Sequence, residues 1–150
     1  AGVTTVHLAL DGIEDTEFWD EWATGPQFGT PLYYAPFLKR FPTRTAEIVS
    51  AIARAAPGGV VFHCMGGRDR TGLVSMLVLA LVGVAVEDIA ADYAMTGDVL
   101  HEFLASEGTS ARELVLTTLA TLDVEAYVRA AGATGDDLRA LRDRLVGPAG

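Results

Sequence analysis

The feature that most limits how this chain can fold is an apolar run, a glycine-rich turn and an apolar helix in immediate succession. Val60-Val61-Phe62-His63 is short and continuous, the pattern of a strand buried on both faces of a sheet. Gly66 and Gly67 follow in a turn, and from Thr71 to Val82 nearly every residue is an apolar helix former. A helix apolar all round is predicted to cross the middle of a domain, not to lie on its surface. Strand, turn and buried helix in that order favour an α/β fold with a mostly parallel central sheet flanked by helices, and place a site at the C-terminal end of a strand.

The rest of the chain is read around that unit. Val3–Leu10 reads as a second strand, giving way to the acid-rich stretch Asp11–Glu21, read as a loop with six carboxylates and no base. Gly25–Pro42 holds four of the six prolines together with Phe28, Tyr33, Tyr34, Phe37 and Phe41. Such a composition suits an irregular, ligand-facing segment, so 11–42 is read as a lid or substrate-facing region, with Tyr33, Tyr34 and Phe37 as packing residues. Thr43 is read as an N-cap before an amphipathic helix from Arg44 to Ala56, ended by Pro57-Gly58-Gly59. Helices are further predicted over Glu87–Met95, after the Ser110-to-Glu113 capping pattern, over Asp123–Ala131 and over Asp136–Leu145, making 87–146 a helical C-terminal part.

No repeat or linker divides the 150 residues, which are expected to form one domain. A formal net charge of −9 would repel nucleic acid and anionic membrane, and the stretch Leu73–Val86 is too short to span a bilayer. The single cysteine, Cys64, cannot form an internal disulfide, so its thiol is free for chemistry. A cytoplasmic location is expected. Export stays open, because the chain starts at Ala1 and enters a strand at once, as though part-way through a fold.

The turn itself carries the chemistry. In His63-Cys64-Met65-Gly66-Gly67-Arg68-Asp69-Arg70-Thr71-Gly72, cysteine and arginine are separated by five residues between the two buried elements. A loop of this kind aims successive backbone N–H groups of residues 65–70 inward as an anion nest, and the helix N-terminus adds its partial positive charge. Gly66 and Gly67 are expected to supply positive φ and close backbone approach. The same field favours the thiolate of Cys64. Arg70 offers a planar fork for two phosphate oxygens, and the Thr71 hydroxyl is placed to donate to the sulfur when the thiolate leaves. His63 is read as a buried support for the loop; Lys39, Arg40 and Arg44 are surface charges unless they face it.

These residues resemble the Cys-x5-Arg protein tyrosine phosphatases, and the His-Cys-x-x-Gly-x-Asp-Arg-Thr-Gly form is similar to their bacterial branch. Phe41-Pro42-Thr43-Arg44, Ala91-Asp92-Tyr93 and Tyr127-Val128-Arg129-Ala130-Ala131-Gly132 also resemble that branch. Gly66 stands where the branch has alanine and Arg68 where it has lysine, and the chain is expected to lack the longer N-terminal part of that branch. The resemblance implies hydrolysis of phosphate monoesters through a phosphocysteine, without metal or cofactor. Cys64 is then the nucleophile, Arg70 the phosphate clamp, and Met65, Gly66, Gly67, Arg68 and Asp69 the phosphate cradle. It places an acid-bearing loop after the Val3–Leu10 strand, making Asp11 the first choice for general acid, ahead of Asp69 and then Asp15. The implied partners are a phosphorylated protein, phosphotyrosine first and phosphoserine or phosphothreonine next, or a phosphoinositide, with phosphate or another oxyanion in the loop. Two other readings remain: a phosphate-binding module without catalysis, and sulfur transfer or arsenate reduction, against which Arg70-Thr71-Gly72 argues.

Overall fold

All regular structure in the computed structural model, which describes residues 2–95 and 101–147, is helical. The expected central sheet is therefore corrected: neither 3–10 nor 60–63 is a strand. A strand is stable only where its N–H and C=O groups pair with a neighbour. Among the described residues no backbone hydrogen bond joins these two runs, and Val3 and Val61 are 94% and 90% exposed. Four apolar residues in a row signalled burial, but nothing in the run itself supplies a pairing partner.

The helices are α1 (Thr16–Trp22), a 3₁₀ turn (Pro31–Tyr33), α2 (Tyr34–Arg40), α3 (Pro42–Arg54), α4 (Asp69–Leu81) and α5 (Val86–Ala94). Beyond them come α6 (His101–Ser106), α7 (Ala111–Ala120), α8 (Val124–Ala130) and α9 (Gly135–Val146). The expected helical C-terminal part also crosses 96–100, which lie outside the described residues. The region 11–42, read as irregular, contains three helical pieces. Three of its four prolines stand at helix starts, while Pro26 lies in a turn: Pro31 opens the 3₁₀ turn behind the Thr30 cap, Pro36 sits in the first turn of α2, and Pro42 opens α3. In a first turn the missing N–H would have had no partner anyway. Asp15 caps α1 by accepting from the Phe18 N–H. Thr43 lies within α3, whose N-cap is Phe41.

Helix α4 is the axis of the core, burying Leu73, Val74, Met76, Leu77, Val78 and Leu81 on successive faces. It packs on α3, α5 and α8, while α9 lies along α3 and α7 along α5. Gly72 lets α4 approach its neighbours closely: a Cβ there would stand 2.4 Å from the Tyr93 ring. The C-terminal helices are tied back by Asp137, buried, which completes the capping box with Thr134 and receives a two-pronged bond from Arg54 at 2.6 and 2.8 Å. No helix among the described residues is long and apolar enough to cross a membrane.

Candidate active site

Because α4 is anchored along its whole apolar length, the position of its first turn is fixed, and that turn faces residues 64–68. Arg68 caps it without a side-chain bond, so the first N–H groups stay available to another acceptor. Gly67 has φ +68°, the left-handed conformation a side chain resists; Gly66 does not, and only at Gly67 is the expected positive φ found.

Cys64 is half-buried at this helix start. Its N–H donates to Thr71 Oγ1 at 2.9 Å, which leaves the hydroxyl's own hydrogen for the sulfur. Burial raises the thiol, but the Thr71 hydroxyl and the N–H groups of Thr71, Gly67 and Gly66 outweigh it and bring the pKa from 9.0 to about 7. Hydrogen bonds aimed at the sulfur, more than the neighbouring guanidiniums, are thus the main source of the depression.

Arg70 Nη1 lies 2.6 Å from Asp11 Oδ2, so the first-choice acid and the expected phosphate clamp are brought together. The Asp11 turn is held by Trp19, whose Nε1–H donates to the Asp11 carbonyl at 2.8 Å. Asp69 also lies at the loop. Burial pushes its carboxyl up, against the Tyr33 hydroxyl and the Arg70 and Arg68 guanidiniums, which pull it down. Asp15, the third choice, is elsewhere: Arg40 holds its carboxyl below the usual range.

Arg68 donates to the Gly29 carbonyl at 3.2 Å, turning its side chain toward the 25–30 turn. Met65 is 94% exposed, so its contribution to a bound anion would come from its backbone. His63, expected to be buried, is exposed, with Nδ1 2.9 Å from the Cys64 carbonyl oxygen; 60–63 pair with no strand among the described residues, so no sheet covers it. Arg40 and Arg44 face the acid-rich segment instead of the loop: Arg40 bonds Asp15 and Glu17, Arg44 bonds Glu14 and the Ala9 carbonyl.

Two tyrosines carry more than the packing role read for them. Tyr33 donates to Asp69 Oδ2 at 2.6 Å and Tyr34 to the Asp69 carbonyl at 2.7 Å, with the Tyr93 hydroxyl 3.1 Å from that of Tyr34. Burial first, and the Asp69 charge next for Tyr33, pushes both phenols up and keeps them protonated donors. No local signal marks this, since the partners are 35 and 36 residues apart.

The Cys64 thiol thus stands against the Thr71 hydroxyl and the amides of Gly66, Gly67 and Thr71, six residues ahead of Arg70. The chain belongs to the tyrosine phosphatase family, whose model matches residues 24–147. It is 47% identical over 55 residues to a protein of Cupriavidus necator named as a tyrosine-protein phosphatase (35% of this chain, 20% of the relative). It is 34% identical over 68 residues to a tyrosine-protein phosphatase of Nostoc commune (45% and 23%). Over 79 residues it is 35% identical to the triple specificity protein phosphatase PtpB of Mycobacterium tuberculosis (49% and 28%). The matched stretches thus span 20% to 28% of these relatives. No solved structure matches the chain.

Proposed function

We propose that this chain hydrolyses phosphate monoesters, phosphotyrosine foremost, through a phosphocysteine on Cys64. The observation that carries the reading is the Cys64–Arg70 loop of a tyrosine phosphatase family member, with the Cys64 N–H held on Thr71 Oγ1 at 2.9 Å and the thiol lowered toward its anion by the donors around it. The thiolate attacks phosphorus in line and forms the S–P bond as the ester P–O bond breaks. Asp11 gives a proton to the departing oxygen, then takes one from the water that cleaves S–P and releases phosphate. Arg70 turns from Asp11 onto two phosphate oxygens, freeing the carboxyl as it does so. Asp69 suits the acid role less well, since one of its oxygens is occupied by Tyr33. Phosphoserine, phosphothreonine and phosphoinositide head groups are the further substrates to compare.

Phosphate release from these four substrates, measured for the unsubstituted chain and for Cys64→Ser, tests the reading. Loss of turnover with tungstate binding retained in Cys64→Ser is the expected result; undiminished turnover in that variant refutes it. The Arg70–Asp11 pair, which occupies the clamp, favours a second reading as a non-catalytic oxyanion binder. Tungstate binding by the unsubstituted chain, with no turnover on any substrate, would select it.

A further inference from the structure

The two halves of this chemistry come from distant parts of the sequence, the proton donor from the turn at Asp11 and the nucleophile from the loop at Cys64. What joins them is aromatic. Trp19 in α1 donates its indole N–H to the Asp11 carbonyl at 2.8 Å and lies 3.3 Å from that of Gly12. Tyr33, at the end of the 3₁₀ turn and 1% exposed, donates to the carboxylate of Asp69 inside the loop at 2.6 Å. The two rings meet edge to face, with centroids 5.8 Å apart and planes at 68°. Phe18, Phe37 and Phe41 fill the same cluster without any polar atom, so packing alone does not call for an indole and a phenol at 19 and 33. Each directs its one donor at a catalytic segment, Tyr33 from a buried ring and Trp19 from a half-buried one, and the narrow range of hydrogen-bond lengths limits how far each acceptor can move.

We infer that Trp19 and Tyr33 form a brace that sets where the Asp11 carboxyl stands relative to the Cys64 loop. They are positioning residues, and the inference rests on the phosphatase reading above. Tyr33 acts through Asp69 on the amides that face the sulfur, and Trp19 acts on the acid-bearing turn. Their losses therefore differ in kind. Without the Tyr33 hydroxyl the loop amides are less well aimed and the thiol pKa rises; without the indole N–H the acid drifts and only poor leaving groups suffer.

The test uses Tyr33→Phe and Trp19→Phe, each of which keeps a ring in the cluster. The thiol pKa of Cys64 is read from the pH dependence of alkylation by iodoacetamide. kcat/KM is read on phenyl phosphate, which needs a proton on its leaving oxygen, and on p-nitrophenyl phosphate, which departs more readily without one. Tyr33→Phe is expected to raise the thiol pKa by about 0.5–1 unit and to lower kcat/KM on both esters. Trp19→Phe is expected to leave the thiol pKa in place and to lower kcat/KM on phenyl phosphate about tenfold more than on the nitrophenyl ester. An unmoved thiol pKa in Tyr33→Phe overturns the brace whatever the turnover; absence of turnover in the unsubstituted chain sinks the phosphatase reading instead. Should Tyr33→Phe not fold, Trp19→Phe decides, and equal losses on the two esters overturn the inference.

Discussion

Replacing Thr71 by valine removes one hydroxyl and keeps the shape of the side chain, which isolates its effect on the sulfur. Burial pushes the thiol up, yet it stands at about 7 against an ordinary 9.0. Four donors lower it, and the Thr71 hydroxyl is the largest of them. Losing the first of four should return about 0.5–1 unit, so at pH 7 the thiolate fraction falls from about one half to between about a quarter and a tenth. The Cys64 N–H also loses its acceptor at 2.9 Å, which works in the same direction by loosening the turn. The assay is the rate of carboxamidomethylation of the single cysteine across pH 5 to 10. The midpoint should move up, the rate at pH 7 should drop about two- to fivefold, and Thr71→Ser should restore both. A midpoint unchanged in Thr71→Val would refute the claim that hydrogen bonds to the sulfur set its ionisation.

Gly67→Ala should lower stability by about 1 kcal/mol, because φ of +68° is unfavourable for a residue with a Cβ, while Gly66→Ala should be nearly neutral, since a Cβ there meets nothing within 4 Å; urea midpoints compare the two. Gly72→Ala gains about 1 kcal/mol of helix propensity and meets the Tyr93 ring at 2.4 Å. With overpacking at about 1–3 kcal/mol the net is a loss, readable as a lower Tm. Asp137, held well below the usual carboxylate range chiefly by the Arg54 guanidinium, adds stability that is complete above its unfolded value of 3.8 and is lost as pH falls through its lower folded value. Asp137→Asn should cost about 2 kcal/mol near pH 7, a figure kept small because Arg54 is largely exposed, and should flatten the fall of the urea midpoint below pH 4.

What could be read without coordinates was what neighbours in sequence decide among themselves. Cys64, Gly67, Arg70 and Thr71 lie within one turn and the start of one helix, so their chemistry follows from backbone geometry that eight residues specify. The apolar run through Leu77 announced its own burial, and the helical periodicities of α3 and α5 placed those helices to within two residues. The tetrad 60–63 failed because burial of a strand depends on who lies beside it, and exposed Val61 has no such neighbour among the described residues. Pro31, Pro36 and Pro42 read as loop residues in the sequence because a proline at a helix start and one in a loop look alike until the cap is known. The Tyr33 contact leaves no periodic trace because its hydroxyl lies 36 residues from its acceptor, and the Trp19 indole reaches back 8 residues to Asp11 within a stretch that reads as loop.

The contact between Arg70 and Asp11 bears on how tightly any oxyanion can be held. The guanidinium already has a tethered competitor at a distance no dissolved ion must diffuse across, so a visiting anion gains only the difference between its own embrace and that of the carboxylate. Its observed dissociation constant is the intrinsic one divided by the share of molecules in which the fork stands open. Under the proposed phosphatase reading, a departing anion is replaced from within, and the fork exchanges its guest more readily than a permanently vacant one would.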